Sequence, residues 1–406
     1  MKISDNRFHL EISEPAVVGQ GESDIWGHYQ FPHLTRTTGG NILYEWAMHY
    51  DDYRYHGTTS YAVSEDGGLT WREKTDADIS LSPHPLGNGK VFSDFVPLPG
   101  IHADFIDKYT PDALSPAGKF LMRDQGSMHL RIYRAEKVKE FTPSYTAREA
   151  DPVTGERSAF DVQVNWPHLP LWVYPDNTLM PPSLPNDSDG CMLQLDDGLY
   201  LCKYTVGFDS ATGEDVPVSG HYSVYIFRST DCGRTWDYVS QVSPGRDLFS
   251  DAPGYEGLCE PMMTKTADGT VIMLMRSGSF LPCYITRSAD NCRSWSTPEL
   301  FDENGVFPQL LTLECGVTLA SYGRAPIWLR ATGDAAGIDW QEHIHIPVTA
   351  DGDESYTGMT SCGYTSMLAL DDHTALLAYS DFRLPGPDGT PMKSLLVRRI
   401  TVVENG

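Results

Sequence analysis

An octapeptide that returns three times along the chain constrains its fold more than any other feature. It reads Ser64-Glu-Asp-Gly-Gly-Leu-Thr-Trp71, Ser229-Thr-Asp-Cys-Gly-Arg-Thr-Trp236 and Ser288-Ala-Asp-Asn-Cys-Arg-Ser-Trp295, with Cys292 standing where the third copy should have glycine. A looser fourth copy carries Asp334, Gly337 and Trp340 with one residue inserted. The spacing S-x-D-x-G-x-x-W has a mechanical logic. A short turn needs a residue free to take positive φ, an aspartate to accept the turn's backbone N–H groups, and a tryptophan to anchor the hairpin. Such an element is a structural staple, and its recurrence marks a chain built from repeated supersecondary units.

The rest of the sequence agrees with an all-β architecture. Its 36 glycines and 28 prolines separate short apolar runs such as Asn41-Ile-Leu-Tyr, Gly198-Leu-Tyr-Leu-Cys-Lys-Tyr and Val271-Ile-Met-Leu-Met. No helical periodicity persists over three turns, which disfavours a doubly wound α/β fold. With 406 residues, 40% apolar and 11% aromatic, the chain can bury a large core, and intrinsic disorder is excluded. The formal charge of −25 repels polyanions, so nucleic acid is not an expected partner.

No apolar run reaches the ~20 residues of a membrane span, and no membrane partner is expected. Met1-Lys2-Ile3-Ser4-Asp5 lacks the basic start and apolar stretch of a secretory signal, so a cytoplasmic location is expected. The eight cysteines all lie from residue 191 onward with no C-x-x-C pair, which fits buried thiols in a reducing compartment. Asp351-Gly-Asp-Glu lacks a calcium-loop pattern and no glycine-rich segment joins a strand to a helix, so neither metal nor cofactor is expected.

Upstream of the later boxes an apolar strand, an Asp-Gly turn and a second apolar strand recur, as in Leu193-Gln-Leu-Asp-Asp-Gly-Leu-Tyr-Leu and in Met262–Thr266 followed by Val271–Met275. With its boxes, the chain resembles the Asp-box (bacterial neuraminidase repeat) proteins, above all the sialidases. The resemblance spans roughly residues 20–71 and 185–400. It implies a six-bladed β-propeller of four-stranded blades. Trp236 to Trp295 (59 residues) and Trp295 to Trp340 (45) suit one blade each. The 165 residues from Trp71 to Trp236 must hold two blades and an insertion, placed at about 140–165 in the second blade. A last blade at about 356–402 would close with the N-terminal strand in a single domain, which leaves no exposed sheet edge.

The same resemblance points to site residues. The segment Gly257-Leu-Cys-Glu260-Pro through Arg276 is similar to the sialidase stretch that supplies a glutamate and an arginine. Ser321-Tyr-Gly-Arg324 is similar to the segment of the last arginine, and Cys362-Gly-Tyr364-Thr-Ser-Met to that of the nucleophilic tyrosine. A phenol with its ordinary pKa near 10 is a poor nucleophile, so Tyr364 would need Glu260 as its base. Arg276 and Arg324 would hold a carboxylate on the substrate by fork-shaped ion pairs.

The first blade departs from the pattern. Tyr29-Gln30-Phe31-Pro32 stands where sialidases carry Arg-Ile-Pro, putting Gln30 in place of the first carboxylate-binding arginine. Ala47 and His49 replace a glutamate–arginine pair, and the acid/base aspartate aligns with His56 or Thr58. Asp94 is another possible acid, with His102, Asp104, Asp51 and Asp52 weaker candidates. Three functions follow as expectations. The first is a sialidase-like exo-glycoside hydrolase that removes a terminal acidic or modified sugar from a carbohydrate. In it Tyr364 is nucleophile, Glu260 base and Asp94 or His56 acid/base, while Arg276, Arg324, Gln30 and His49 position the substrate. The second is a lyase on uronate-containing glycans using Tyr and His. The third is a non-catalytic glycan-binding propeller.

Overall fold

A computed structural model describes residues 7–51, 57–96, 100–106, 114–116, 120–122, 126–128, 131–174, 176–184, 190–209, 221–242, 252–324, 326–346 and 360–405. Apart from 3-10 turns at residues 104–106 and Ala135–Lys137, the regular structure of the described residues is all strand. Among the described residues the strands form six sheets of four or more, an arrangement compatible with six propeller blades.

The first sheet holds Gln30–Thr37, Ile42–Met48, Thr58–Ser64 and Arg72–Glu73; the second is centred on Arg131–Arg134, Pro170–Val173 and Thr178–Met180. The third runs Gly190–Leu195, Gly198–Val206, Tyr222–Ser229 and Thr235–Val242; the fourth runs Cys259–Lys265, Val271–Arg276, Cys283–Ser288 and Glu299–Asp302. The fifth holds Val306–Thr312, Thr318–Gly323, Ile327–Thr332 and Ile344–Ile346. The sixth, of Ser366–Ala369, Thr374–Pro385 and Pro391–Glu404, is completed by the N-terminal strand Phe8–Ile12, in antiparallel register from Phe8 with Glu404 to Ile12 with Ile400.

Packing between successive sheets explains the continuous apolar runs of the sequence. In Val271–Arg276 the side chains of Val271, Met273 and Met275 enter the core shared with the third sheet, whereas Ile272 and Leu274 enter that shared with the fifth. In the sixth sheet Ala375, Leu377 and Tyr379 face the fifth, and Leu376 and Ala378 face the first. A strand covered on both faces has no solvent side to alternate toward, so it reads as an unbroken apolar stretch.

The octapeptides form equivalent hairpins. Ser64, Ser229 and Ser288 each accept the N–H four residues on, from Gly68, Gly233 and Cys292, at 2.8, 2.9 and 2.9 Å. Each serine hydroxyl donates to its box aspartate, Asp66, Asp231 or Asp290, which in turn accepts the N–H of Thr70, Thr235 or Ser294. Cys292 adopts the left-handed φ of +62° that its glycine counterparts take. The looser copy keeps the turn, with Asp334 accepting the Ile338 N–H at 2.7 Å and the Trp340 indole donating to the Gly337 carbonyl at 3.0 Å.

The three tryptophans are not equally buried: Trp236 is fully enclosed, while Trp71 and Trp295 are partly covered. The reason lies in residues 140–165, read from sequence as an irregular insertion. They contain the hairpin Tyr145–Ala150 and Arg157–Asn165, whose second strand joins the third sheet in parallel with Val164 opposite Trp236. Its residues Tyr145 and Val162, with Trp166 just beyond it, share the core that encloses Trp236.

Candidate active site

The first strands of the third, fourth, fifth, sixth and first sheets lie side by side, which places the start of each at a common end of the fold. At that end three of them share an unusual opening. Glu260, Phe307 and Phe31 each have positive φ (+46°, +40° and +55°), each precedes a proline, and each sits at a register shift in its strand pairing. A residue before proline is ordinarily extended, and a left-handed non-glycine residue costs of the order of 1–3 kcal/mol. All three strained residues converge on one side chain, Tyr364.

The Tyr364 hydroxyl donates to Glu260 Oε1. Its ring is stacked on Phe307, with centroids 4.5 Å apart and planes 3° from parallel, and meets Phe31 edge-on at 5.0 Å. Glu260 is buried and accepts two more hydrogen bonds, from Arg276 Nη1 at 2.6 Å and from the Phe307 N–H at 2.7 Å. The bulge of the fifth strand therefore both stacks the tyrosine and orients its carboxylate. Burial, and after it the negative charge of Glu260, push the Tyr364 phenol well above its ordinary pKa. The proton stays on the phenol at rest, and Glu260 is placed to take it.

Arg276 is buried, and burial opposes its charge, but Glu260 and its other neighbours outweigh that and hold the guanidinium firmly protonated. Nη1 also points at the Tyr364 oxygen at 3.4 Å, while Nη2 donates to Glu256 Oε1 and Ser279 Oγ, both at 3.1 Å. Arg324 donates from Nε to the Cys362 carbonyl at 3.0 Å and from Nη1 to the same Ser279 Oγ at 3.1 Å, with its guanidinium 5.6 Å over the Trp26 ring. Trp26 in turn donates to Asp51 at 3.0 Å and meets Phe382 edge-on at 6.2 Å.

Tyr364, Glu260, Arg276 and Arg324, singled out from sequence, thus stand together in the structure. Gln30 is different. It immediately precedes Phe31, but its amide is fully buried and neither polar atom meets a hydrogen-bond partner among the described residues. His49 is half-buried, donates from Nδ1 to the Tyr50 carbonyl at 2.8 Å and packs against Gly27 and Gly57, beside the loop of Trp26. Thr58 opens a strand and donates to the Met48 carbonyl at 3.2 Å.

Asp94 is not brought to this cluster. On the strand Val91–Val96, at the far edge of the extended third sheet, it is held by Arg148 at 3.0 Å and Arg157 at 3.5 Å. His102 and Asp104 pair with each other at 2.9 Å on an exposed segment. His56 and Asp52 lie outside the described residues. Sequence reasoning missed Glu256, Ser279, Phe307 and Phe31; the repeated strand-opening X-Pro of Phe31-Pro32, Glu260-Pro261 and Phe307-Pro308 was the signal for two of them. Among the described residues no group of three or more His, Cys, Asp or Glu side chains is arranged to hold a metal ion. All eight cysteines are free thiols.

Residues 190–369 match a family described as the BNR repeat-like domain. No curated protein matches the chain. Among solved structures, a protein of unknown function from Dyadobacter fermentans DSM 18053 superposes with a TM-score of 0.54 at 16% identity, covering 97% of this chain and 99% of that one. At this identity the likeness is one of fold. The Hadza microbial sialidase Hz136 gives 0.47 at 13% identity, over 92% of this chain and 65% of that one. The Penicillium chrysogenum alpha-L-arabinanase complexed with arabinobiose gives 0.47 at 13%, over 95% and 98%.

Proposed function

We propose, from the BNR repeat-like match over residues 190–369 and the geometry around Tyr364, that this chain is a glycoside hydrolase of the sialidase-like propellers, removing a terminal sugar from a carbohydrate. The observation that carries the reading is the hydrogen bond from the Tyr364 hydroxyl to a carboxylate that Arg276 and the Phe307 N–H hold in place. A half-buried phenol aimed at an oriented base is the arrangement an oxygen nucleophile needs.

In the proposed reaction Tyr364 Oη attacks the anomeric carbon while Glu260 Oε1 takes the phenolic proton. The bond to the aglycone oxygen breaks, and that oxygen takes up a proton from an acid, a role proposed for His56. Water then attacks the anomeric carbon, giving its proton to the group that served as the acid, and Glu260 returns its own proton to Tyr364 as the bond from the phenol to the sugar breaks. Arg276 stabilises the phenolate as it forms, because its Nη1 already faces both oxygens. Phe307 and Phe31 fix the ring so that its oxygen does not swing from the sugar.

Release of reducing sugar from a panel of defined glycosides tests the reading. Tyr364→Phe should lower kcat at least ~10³-fold and Glu260→Gln ~10²–10⁴-fold, with the fold intact by circular dichroism. Undiminished release by Tyr364→Phe would refute the assignment, and an unsaturated product absorbing in the ultraviolet would replace hydrolysis by elimination.

A further inference from the structure

Both Nη groups of Arg276 are already committed to carboxylates, Nη1 to Glu260 at 2.6 Å and Nη2 to Glu256 at 3.1 Å. Glu256 is not a loose surface residue. Its N–H donates to the Ser277 carbonyl and its carbonyl accepts the Tyr222 N–H, both at 2.8 Å, so the backbone is tied to the fourth and third sheets. Gly257, at φ +83°, completes the clamp, since a Cβ there would stand 2.4 Å from the Tyr222 carbonyl oxygen. The Glu256 side chain keeps about 29% of its surface open beside Arg276.

The charges of the cluster therefore cancel. Arg276 and Arg324 supply two positive charges, and Glu256 and Glu260 supply two negative ones. Arg324 turns its Nη1 to the neutral Ser279 and its Nε to a carbonyl. In the first sheet Gln30, a buried amide, stands where the resemblance would put a third cation. On the Trp26 side Lys393 is held on the Ile25 carbonyl at 2.6 Å, and the negative charge of Asp24 acts on it. A carboxylate on the sugar would have to displace Glu256 from Arg276 or sit against it.

We propose that Glu256 is a specificity-determining residue that blocks the Arg276 fork against carboxylates, so that the sugar at this site is uncharged. This rests on the reading of the cluster as a sugar site and narrows the acidic or modified sugar expected from sequence to a neutral one. Glu256 Oε2, which takes only the long bond of 3.8 Å from the Cys259 thiol, accepts a sugar hydroxyl, a bond that an acidic group in the same position would turn into repulsion.

The test is equilibrium binding, which does not depend on turnover and so separates this inference from the proposed reaction. The probes are the unsaturated, ring-flattened glycal of N-acetylneuraminate, with its carboxylate at the anomeric position, and its uncharged methyl ester, each titrated calorimetrically. The native protein should favour the ester over the acid. Glu256→Gln, which keeps the shape of the side chain, should bind the acid about 10- to 100-fold more tightly, the range of one charge-assisted contact. Adding Arg324→Leu should remove most of that gain, and thermal melts of each variant check that the fold survives. Tighter binding of the acid than of the ester by the native protein, or no gain in Glu256→Gln, would overturn the proposal, whereas loss of hydrolysis in Tyr364→Phe bears only on the reaction.

Discussion

Tyr364, Glu260, Arg276 and Arg324 were legible in the sequence because each stands in or beside a strand in a segment that resembles a family pattern, and the structure brings the four together. Glu256 and Phe307 were not legible, since their roles come from backbone left-handed or clamped at one position, which no periodicity announces. Asp94 shows what sequence leaves out: an aspartate near a strand looks alike whatever it faces, and here strand pairing and folding bring Arg148 and Arg157 beside it. Asp381 is a further residue that sequence did not single out. It is fully buried, one oxygen accepts the Arg383 N–H at 2.8 Å, and the other meets no partner among the described residues. Burial pushes its carboxyl up to about 7. The folded state then holds a proton that the unfolded chain has released, so stability falls as pH rises from roughly 4 to 7. Asp381→Asn should remove that slope and gain about 1–3 kcal/mol at pH values above the folded-state value. Thermal melts across this pH range check it, and equal slopes for both proteins would show that Asp381 is not the group responsible.

At the scale of elements, the octapeptide hairpin was readable in full because its chemistry is local: serine, aspartate and left-handed residue lie within one turn. Ser229 shows what holds it. The hydroxyl is buried, accepts the Gly233 N–H at 2.9 Å and donates to Asp231 at 2.9 Å. Ser229→Ala leaves a buried N–H unpaired and should cost about 1–3 kcal/mol in denaturant unfolding. A loss below about half a kcal/mol would mean that packing around Trp236, rather than the hydrogen bonds, carries this hairpin. The strand-opening bulges were harder to read. Proline after Glu260, Phe307 and Phe31 looks from sequence like an ordinary turn, and only the convergence of three such strands on Tyr364 gives it meaning.

Across the whole molecule, the proposed nucleophile is assembled from three sheets: Glu260 and Arg276 from the fourth, Phe307 from the fifth, and Tyr364 from the segment that opens the sixth. Their relative positions depend on the closure by Phe8–Ile12, whose Phe8 and Leu10 are buried in the core between the fifth and sixth sheets. The central claim is that this assembly makes Tyr364 the atom that attacks sugar. Fluorination beside the anomeric carbon slows both steps, and a good leaving group restores the first, so a fluorinated activated glycoside accumulates the covalent intermediate. Peptide mass spectrometry of the trapped protein, using a neutral sugar that the native protein hydrolyses, measures where it sits. The account predicts one sugar on Tyr364, absent from Tyr364→Phe; a sugar carried by Glu260 or any other side chain would contradict it.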